Sequence, residues 1–137
     1  MADLTITASS VLAGNTATIA RGVAGATITA GQVVYLDPTT GKYGLADVNS
    51  ATAAVRNAVG IALNSASANQ PIAVCTKGPI TIGAAILAGV AYYASGTPGG
   101  IRPVADNVTG DYTLLLGVGA STTVLNLDIE FPGVPLA

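Results

Sequence analysis

The sequence predicts an all-β fold, a small β-barrel or sandwich built on a duplicated strand-turn-strand unit, with at most one short helix. Three observations carry this. First, one unit occurs twice: at a constant offset of 58, Ile28, Ala30, Gly31, Tyr35, Thr39 and Gly41 recur as Ile86, Ala88, Gly89, Tyr93, Thr97 and Gly99. Each copy is followed by a second shared element, Val59-Gly60-Ile61-Ala62-Leu63 and Leu116-Gly117-Val118-Gly119. Second, the apolar runs are short and bounded by turn residues, the pattern of a barrel or sandwich. Third, the run Thr123–Phe131 alternates, with Val124, Asn126, Asp128 and Glu130 on one face and Leu125, Leu127, Ile129 and Phe131 on the other. That is the signature of a half-buried antiparallel strand.

The elements follow in order. Residues 1–20 alternate weakly and read as two extended segments separated by Ala13-Gly14-Asn15, either an N-terminal arm or edge strands. The body runs over 21–131, with repeat halves at about 26–78 and 84–131. Gln32–Leu36 is a strand ending at Asp37-Pro38-Thr39-Thr40-Gly41. There Pro presets φ, Asp bonds its own backbone and Gly accepts positive φ, so the chain turns and returns as Lys42–Ala46. Asn49–Asn57 is the one helix candidate, with Asn49 or Ser50 as N-cap. Further strands are expected at Val59–Leu63, Pro71–Thr76, Ile80–Ile82, Val90–Ala94, Ile101–Val104, Tyr112–Val118 and Thr123–Phe131. Residues 132–137 (Pro-Gly-Val-Pro-Leu-Ala) form a C-terminal tail lying across a surface.

Of the 137 residues, 50% are apolar but only 9% charged, against about 25% charged in ordinary globular domains. Large weakly charged surfaces mark contacts with other subunits, so an oligomer is expected. The five basic residues are scattered, so no phosphate-binding patch forms and no nucleic-acid partner is expected. Met1 to Thr7 lacks the basic start and continuous apolar core of a signal peptide. The uncharged stretch between Lys77 and Arg102 is broken by Pro79, Pro98 and several glycines, so strand-turn-strand is expected there and not a membrane span. Cys75 stands alone in an apolar strand and reads as a small buried thiol.

The chain offers little for chemistry. It has no histidine, the commonest general base and metal ligand. No serine stands in a Gly-x-Ser-x-Gly setting, and no phosphate-cradling loop is present. Asp128 and Glu130 share a strand face roughly 7 Å apart by strand rise, a spacing that suits a carboxylate pair or cation site but more simply a solvated face. Asp106 to Asp111 has a faint calcium-loop composition without the regular ligand spacing, and Asn107-Val108-Thr109 is a formal glycosylation sequon. The expectation is a protein with no catalytic residues, no cofactor and no metal. Aromatics at matched repeat positions suggest an interface belt, for which Tyr35, Tyr92, Tyr93 and Phe131 are the candidates.

Four segments carry a family resemblance: Ala30-Gly-Gln-Val-Val-Tyr-Leu-Asp37, Val59-Gly-Ile-Ala-Leu-Asn-Ser-Ala66, Pro71-Ile-Ala-Val-Cys-Thr-Lys-Gly78 and Ala88-Gly-Val-Ala-Tyr-Tyr-Ala-Ser95. Over residues 20–130 they resemble the capsid decoration (cement) proteins of tailed bacteriophages, in particular the small family formerly mislabelled as predicted recombinases. The phosphate-binding loop that a recombinase needs is absent. The resemblance implies a barrel-like body, often trimeric, made in the bacterial host cytoplasm and bound to the major capsid protein on the outer surface of the expanded head. It also implies an N-terminal arm that pairs with capsid strands, for which Leu4, Ile6, Val11 and Leu12 are the candidates. Other phage structural parts (a head-fibre base, tail component or receptor-binding knob) and a carbohydrate-binding module are the alternative readings.

Overall fold

The computed structural model describes residues 3–104, 107, 109 and 112–131. The tail over 132–137 and most of the Asp106–Asp111 loop, with the middle of the sequon, lie outside the described residues.

Among the described residues there are ten strands in a single curled antiparallel sheet. They are β1 (Val11–Ala13), β2 (Thr18–Val23), β3 (Val33–Leu36), β4 (Tyr43–Leu45), β5 (Gly60–Ala62), β6 (Pro71–Ile82), β7 (Ala91–Ala94), β8 (Ile101–Pro103), β9 (Leu115–Gly119) and β10 (Val124–Glu130). The order is β4-β3-β5-β6-β10-β9-β7-β8, with β1 and β2 paired to β6 off that path. The sheet forms a half-barrel whose ends meet at Gly99: its carbonyl accepts the Val33 N–H at 2.9 Å and its N–H donates to the Ala46 carbonyl at 2.8 Å. The fold is all-β, as the sequence predicts.

The order is also a palindrome of repeats, since β4-β3-β5-β6 is mirrored by β8-β7-β9-β10. In the first hairpin Val34, Tyr35 and Leu36 stand opposite Leu45, Gly44 and Tyr43. In the second, Tyr92, Tyr93 and Ala94 stand opposite Pro103, Arg102 and Ile101, the same register moved by the sequence offset. The turn chemistry repeats too. Asp37 Oδ1 accepts the Thr39 N–H at 2.8 Å, and Ser95 Oγ accepts the Thr97 N–H at 3.0 Å. Different side chains thus close the same kind of local turn. Gly60 and Gly117 occupy matching sites in β5 and β9, where a Cβ would collide with the carbonyl of Cys75 and of Asn126 respectively. Only glycine lets those backbones approach so closely.

The structure corrects the expected elements at three places. The helix, α1, is the single turn Ala53–Arg56 with Thr52 at its N-cap, and neither Asn49 nor Ser50 caps it. The last repeat strand before the C-terminal one begins at Leu115, not Tyr112. The two strands expected at Pro71–Thr76 and Ile80–Ile82 are one, β6. Pro79 cannot donate to a ladder, but the stretch opposite it on the β1–β2 side is the connection between those two strands. There Gly14 donates to the Pro79 carbonyl at 2.8 Å, and no donor is required of residue 79.

A bulge at Thr76, where Thr18 pairs with Lys77 and Ile19 with Cys75, reverses the alternation of β6 just before Gly78 at φ +100°. Before it, Cys75 faces the barrel interior while Ile72 and Val74 face outward; after it, Ile80 and Ile82 face inward. Two apolar clusters result. The interior one joins Val33, Ile61 and Cys75 of the first repeat to Tyr92, Ile101 and Leu125 of the second. The other covers the outer face of the first repeat, where Ala24, Ile28 and Ala66 lie over Val34, Tyr43 and Val74.

Candidate functional site

The N-terminal segment is docked on the body. The Leu4 N–H donates to the Ile101 carbonyl at 2.8 Å, the Thr7 N–H to Gly83 at 2.8 Å, and Ser95 Oγ donates to Asp3 Oδ1 at 2.7 Å. Leu4 and Ile6 are half-buried against the interior cluster, and Val11 belongs to it. Of the four arm candidates only Leu12 points outward, 69% exposed. Alternation along β1 explains the split, since Val11 and Ala13 turn the opposite way from Leu12.

Beyond Leu12 the chain runs along β6 as β2, whose end also meets β4: Ala24 forms an isolated parallel bridge with Tyr43, and the Gly25 N–H donates to the Tyr43 carbonyl at 2.7 Å. Ala24 exchanges bonds with Asn69 and Gln70 on the β6 side. By alternation Ala20 and Gly22 also point to β6, while the N–H and C=O groups of Ile19 and Arg21 point to an open edge and Val23 faces Tyr43 of β4. The side chains of Ile19 and Val23 are exposed beside Arg21. Natural edges are usually blunted by lysines, prolines or covering loops; this six-residue edge carries a single charge.

A second uncovered feature is the outer face of the second repeat. Leu12, Thr81 and Val124 form one row across it, and Asn126, Val118 and Ala91 the next. Val118 is 42% exposed. Thr81, Thr122, Thr123, Ser10, Gly83 and Ala84 line an open depression of about 370 Å³ at its end. Asp128, opposite Lys77, and Glu130 rim the other end. Asp128 and Glu130 therefore lie on an exposed strand face, and among the described residues no group of three or more His, Cys, Asp or Glu is placed to hold a metal ion.

The four aromatic candidates are placed differently from one another. Tyr92 is a core residue, 3% exposed, with its hydroxyl accepting the Leu87 N–H at 2.9 Å, so it presents no ring to a partner. Tyr35 and Tyr93 are half-buried on β3 and β7, with four strands between them along the sheet order. Phe131 is half-buried against Tyr112, with ring centroids 6.2 Å apart and planes tilted by 55°. The Arg56 guanidinium sits 4.0 Å from the centre of the Tyr112 ring. This Arg56-Tyr112-Phe131 stack ties α1 to the end of β10. It has no signature in the sequence, because its members are far apart along the chain.

Two buried polar groups complete the picture. Cys75 is fully buried; loss of hydration raises its thiol above the ordinary value, and the thiol donates to the Lys77 carbonyl at 3.6 Å. Arg102, 5% exposed, donates its Nε–H to Asn107 Oδ1 at 3.2 Å. No helix among the described residues is long and apolar enough to cross a membrane. A scan against protein-family models finds no match to this chain, and a comparison with curated proteins finds none.

Proposed function

We propose that this chain is a structural virion protein that binds the outer surface of a tailed-phage capsid, as a homotrimer on the major capsid protein, and stabilises the expanded head against internal DNA pressure. The observation that carries the reading is the open edge of β2. An extended capsid segment adding there would gain main-chain hydrogen bonds from Ile19 and Arg21 without any rearrangement of the barrel. Leu12 extends the same side of the molecule outward. The low charge of the chain and its resemblance to decoration proteins support the same reading. Many modest contacts repeated on a lattice bind tightly through multivalency.

The test is co-sedimentation of the purified protein with empty heads of a candidate phage, in unexpanded and expanded forms. Binding to the expanded form at micromolar concentration is expected, together with a raised disruption temperature of the shell. Arg21→Pro removes one outward N–H while leaving the ladder to β6 intact. It should weaken binding at least tenfold with little change in the protein's own melting. Absence of binding to expanded heads, or full binding by Arg21→Pro, would refute the reading.

A further inference from the structure

The chain has five basic residues, and four of them meet a partner within it. Lys42 donates to Asn69 Oδ1 at 2.6 Å, and Arg102 donates to Asn107 Oδ1. Arg56 lies over the Tyr112 ring and donates to the Ser50 carbonyl at 3.1 Å. Lys77 stands across the ladder from Asp128. Arg21 is the exception. It is exposed, its cross-strand neighbour on β6 is Ala73, and among the described residues no hydrogen bond or ion pair holds its guanidinium. Alternation puts Ile19, 41% exposed, and Val23, 38% exposed, on the same strand face on either side of it.

The edge that Arg21 occupies is closed at both ends. Past Val23 the Gly25 N–H donates to the Tyr43 carbonyl, so β4 takes over the edge there. Before β2 the Ala17 N–H turns back to the Gly14 carbonyl at 3.2 Å. Only residues 18–22 are left open, so an added strand is short and its register is confined.

We propose that the segment received on this edge carries a carboxylate side chain facing Arg21 and a branched apolar side chain facing Ile19. The assignment rests on the reading above for the partner's being a capsid strand, and it adds what that strand contains. Ile19 and Arg21 open their N–H and C=O groups to the same edge and their side chains share one face, so residues two apart on the partner meet them as a pair. A carboxylate there satisfies the one basic residue left without a partner among the described residues. A neutral or basic residue would leave that guanidinium desolvated between two aliphatic side chains, at a cost to binding. Main-chain bonds give affinity for any extended segment, and the charge pair selects among them.

Co-sedimentation with empty expanded heads tests this with four substitutions at one position, which separate side chain from backbone. Arg21→Lys keeps the charge, Arg21→Met keeps only an aliphatic stem, Arg21→Glu reverses the charge, and Arg21→Pro also removes the N–H. Arg21→Lys should stay nearest wild type, Arg21→Met should bind about two- to fivefold more weakly, and Arg21→Glu roughly tenfold or more. Raising salt from about 50 to about 500 mM should weaken wild type and leave Arg21→Met nearly unchanged, because screening acts on the charge pair. Full binding by Arg21→Met and Arg21→Glu beside failure of Arg21→Pro would overturn the charge pair and leave the edge reading in place. Full binding by Arg21→Pro, or none by wild type, would overturn both. Self-association of an Arg21→Met that still binds heads fully would also sink the pair, since Arg21 would then serve only to keep bare edges of two copies apart.

Discussion

Ile61 and Val118 occupy the same position in the two repeats, yet Ile61 is fully buried and Val118 is 42% exposed. Among the described residues, the first repeat is covered on both faces, by the barrel interior and by the Ala24–Ile28 segment, and the second on one. The difference does not come from the hairpins, which keep the same register, but from the reversal at the Thr76 bulge of β6. A one-residue change of alternation moves every side chain of a strand to the other face. Here it allows two copies of one unit to share a core through opposite faces.

Four measurements break or sharpen this comparison. The largest effect is expected where the repeats agree. Gly60→Ala and Gly117→Ala both force a Cβ into a neighbouring carbonyl, and each should cost about 3 kcal/mol or more of unfolding free energy, at the upper end of single-site effects. A normal denaturant midpoint for either would mean that the strands do not approach as described. Next comes the pair in which the repeats differ: Ile61→Ala should cost about 2–5 kcal/mol, whereas Val118→Ala in the isolated chain should stay within about 0.5 kcal/mol. Equal losses in chemical denaturation would remove the distinction between a covered and a bare face.

Gly78→Ala probes the residue that follows the bulge. A side chain at positive φ costs roughly 1–2 kcal/mol, and the Cβ would also press on the Ala17 backbone at 2.8 Å, so a lower melting temperature is expected. An unchanged melt would show that the Gly78 backbone does not approach Ala17 as described. The smallest effect is the pH dependence of Cys75. Its thiol is raised in the folded chain, so the unfolded chain loses its proton first as pH rises. The associated stability is fully present below the ordinary thiol value of about 9.0 and is lost above it. Cys75→Ala should flatten the stability profile above that point, read from urea midpoints across pH 7 to 10; an identical slope would assign the dependence to other groups.

Much of this architecture is legible in the residues. The matched Gly-x-x-x-Tyr segments and their turns mark both hairpins, and the alternation of Val124 to Phe131 identifies which face of β10 is buried. What escapes is what depends on distant neighbours. Pro79 reads as a strand break because nothing local reveals that its missing donor faces the β1–β2 connection. Local pattern leaves Tyr92 open between an interface belt and core packing, because the face it takes is decided by how distant strands pack. The outer cluster over Val34 and Val74 is hidden for the same reason. Of the surface candidates, Leu12 is outward as local alternation suggests, while the open edge beside Ile19 and Val23 is visible only once β2 is known to pair on one side.

The pairing of the N-terminal strands with β6 also has a temporal consequence. Val23 pairs with Pro71 and Val11 with Ile82, so the first strands made must wait for a partner roughly 50–70 residues downstream. At a synthesis rate of about 5–20 residues per second, that delay is on the order of 3–14 s. Throughout it the segment from Val11 to Val23 is a nascent strand with neither side paired, and such long-range pairing is intrinsically slow even after release. The near absence of charge between Val11 and Val23 therefore leaves the growing chain exposed to premature association until Pro71–Ile82 has been made.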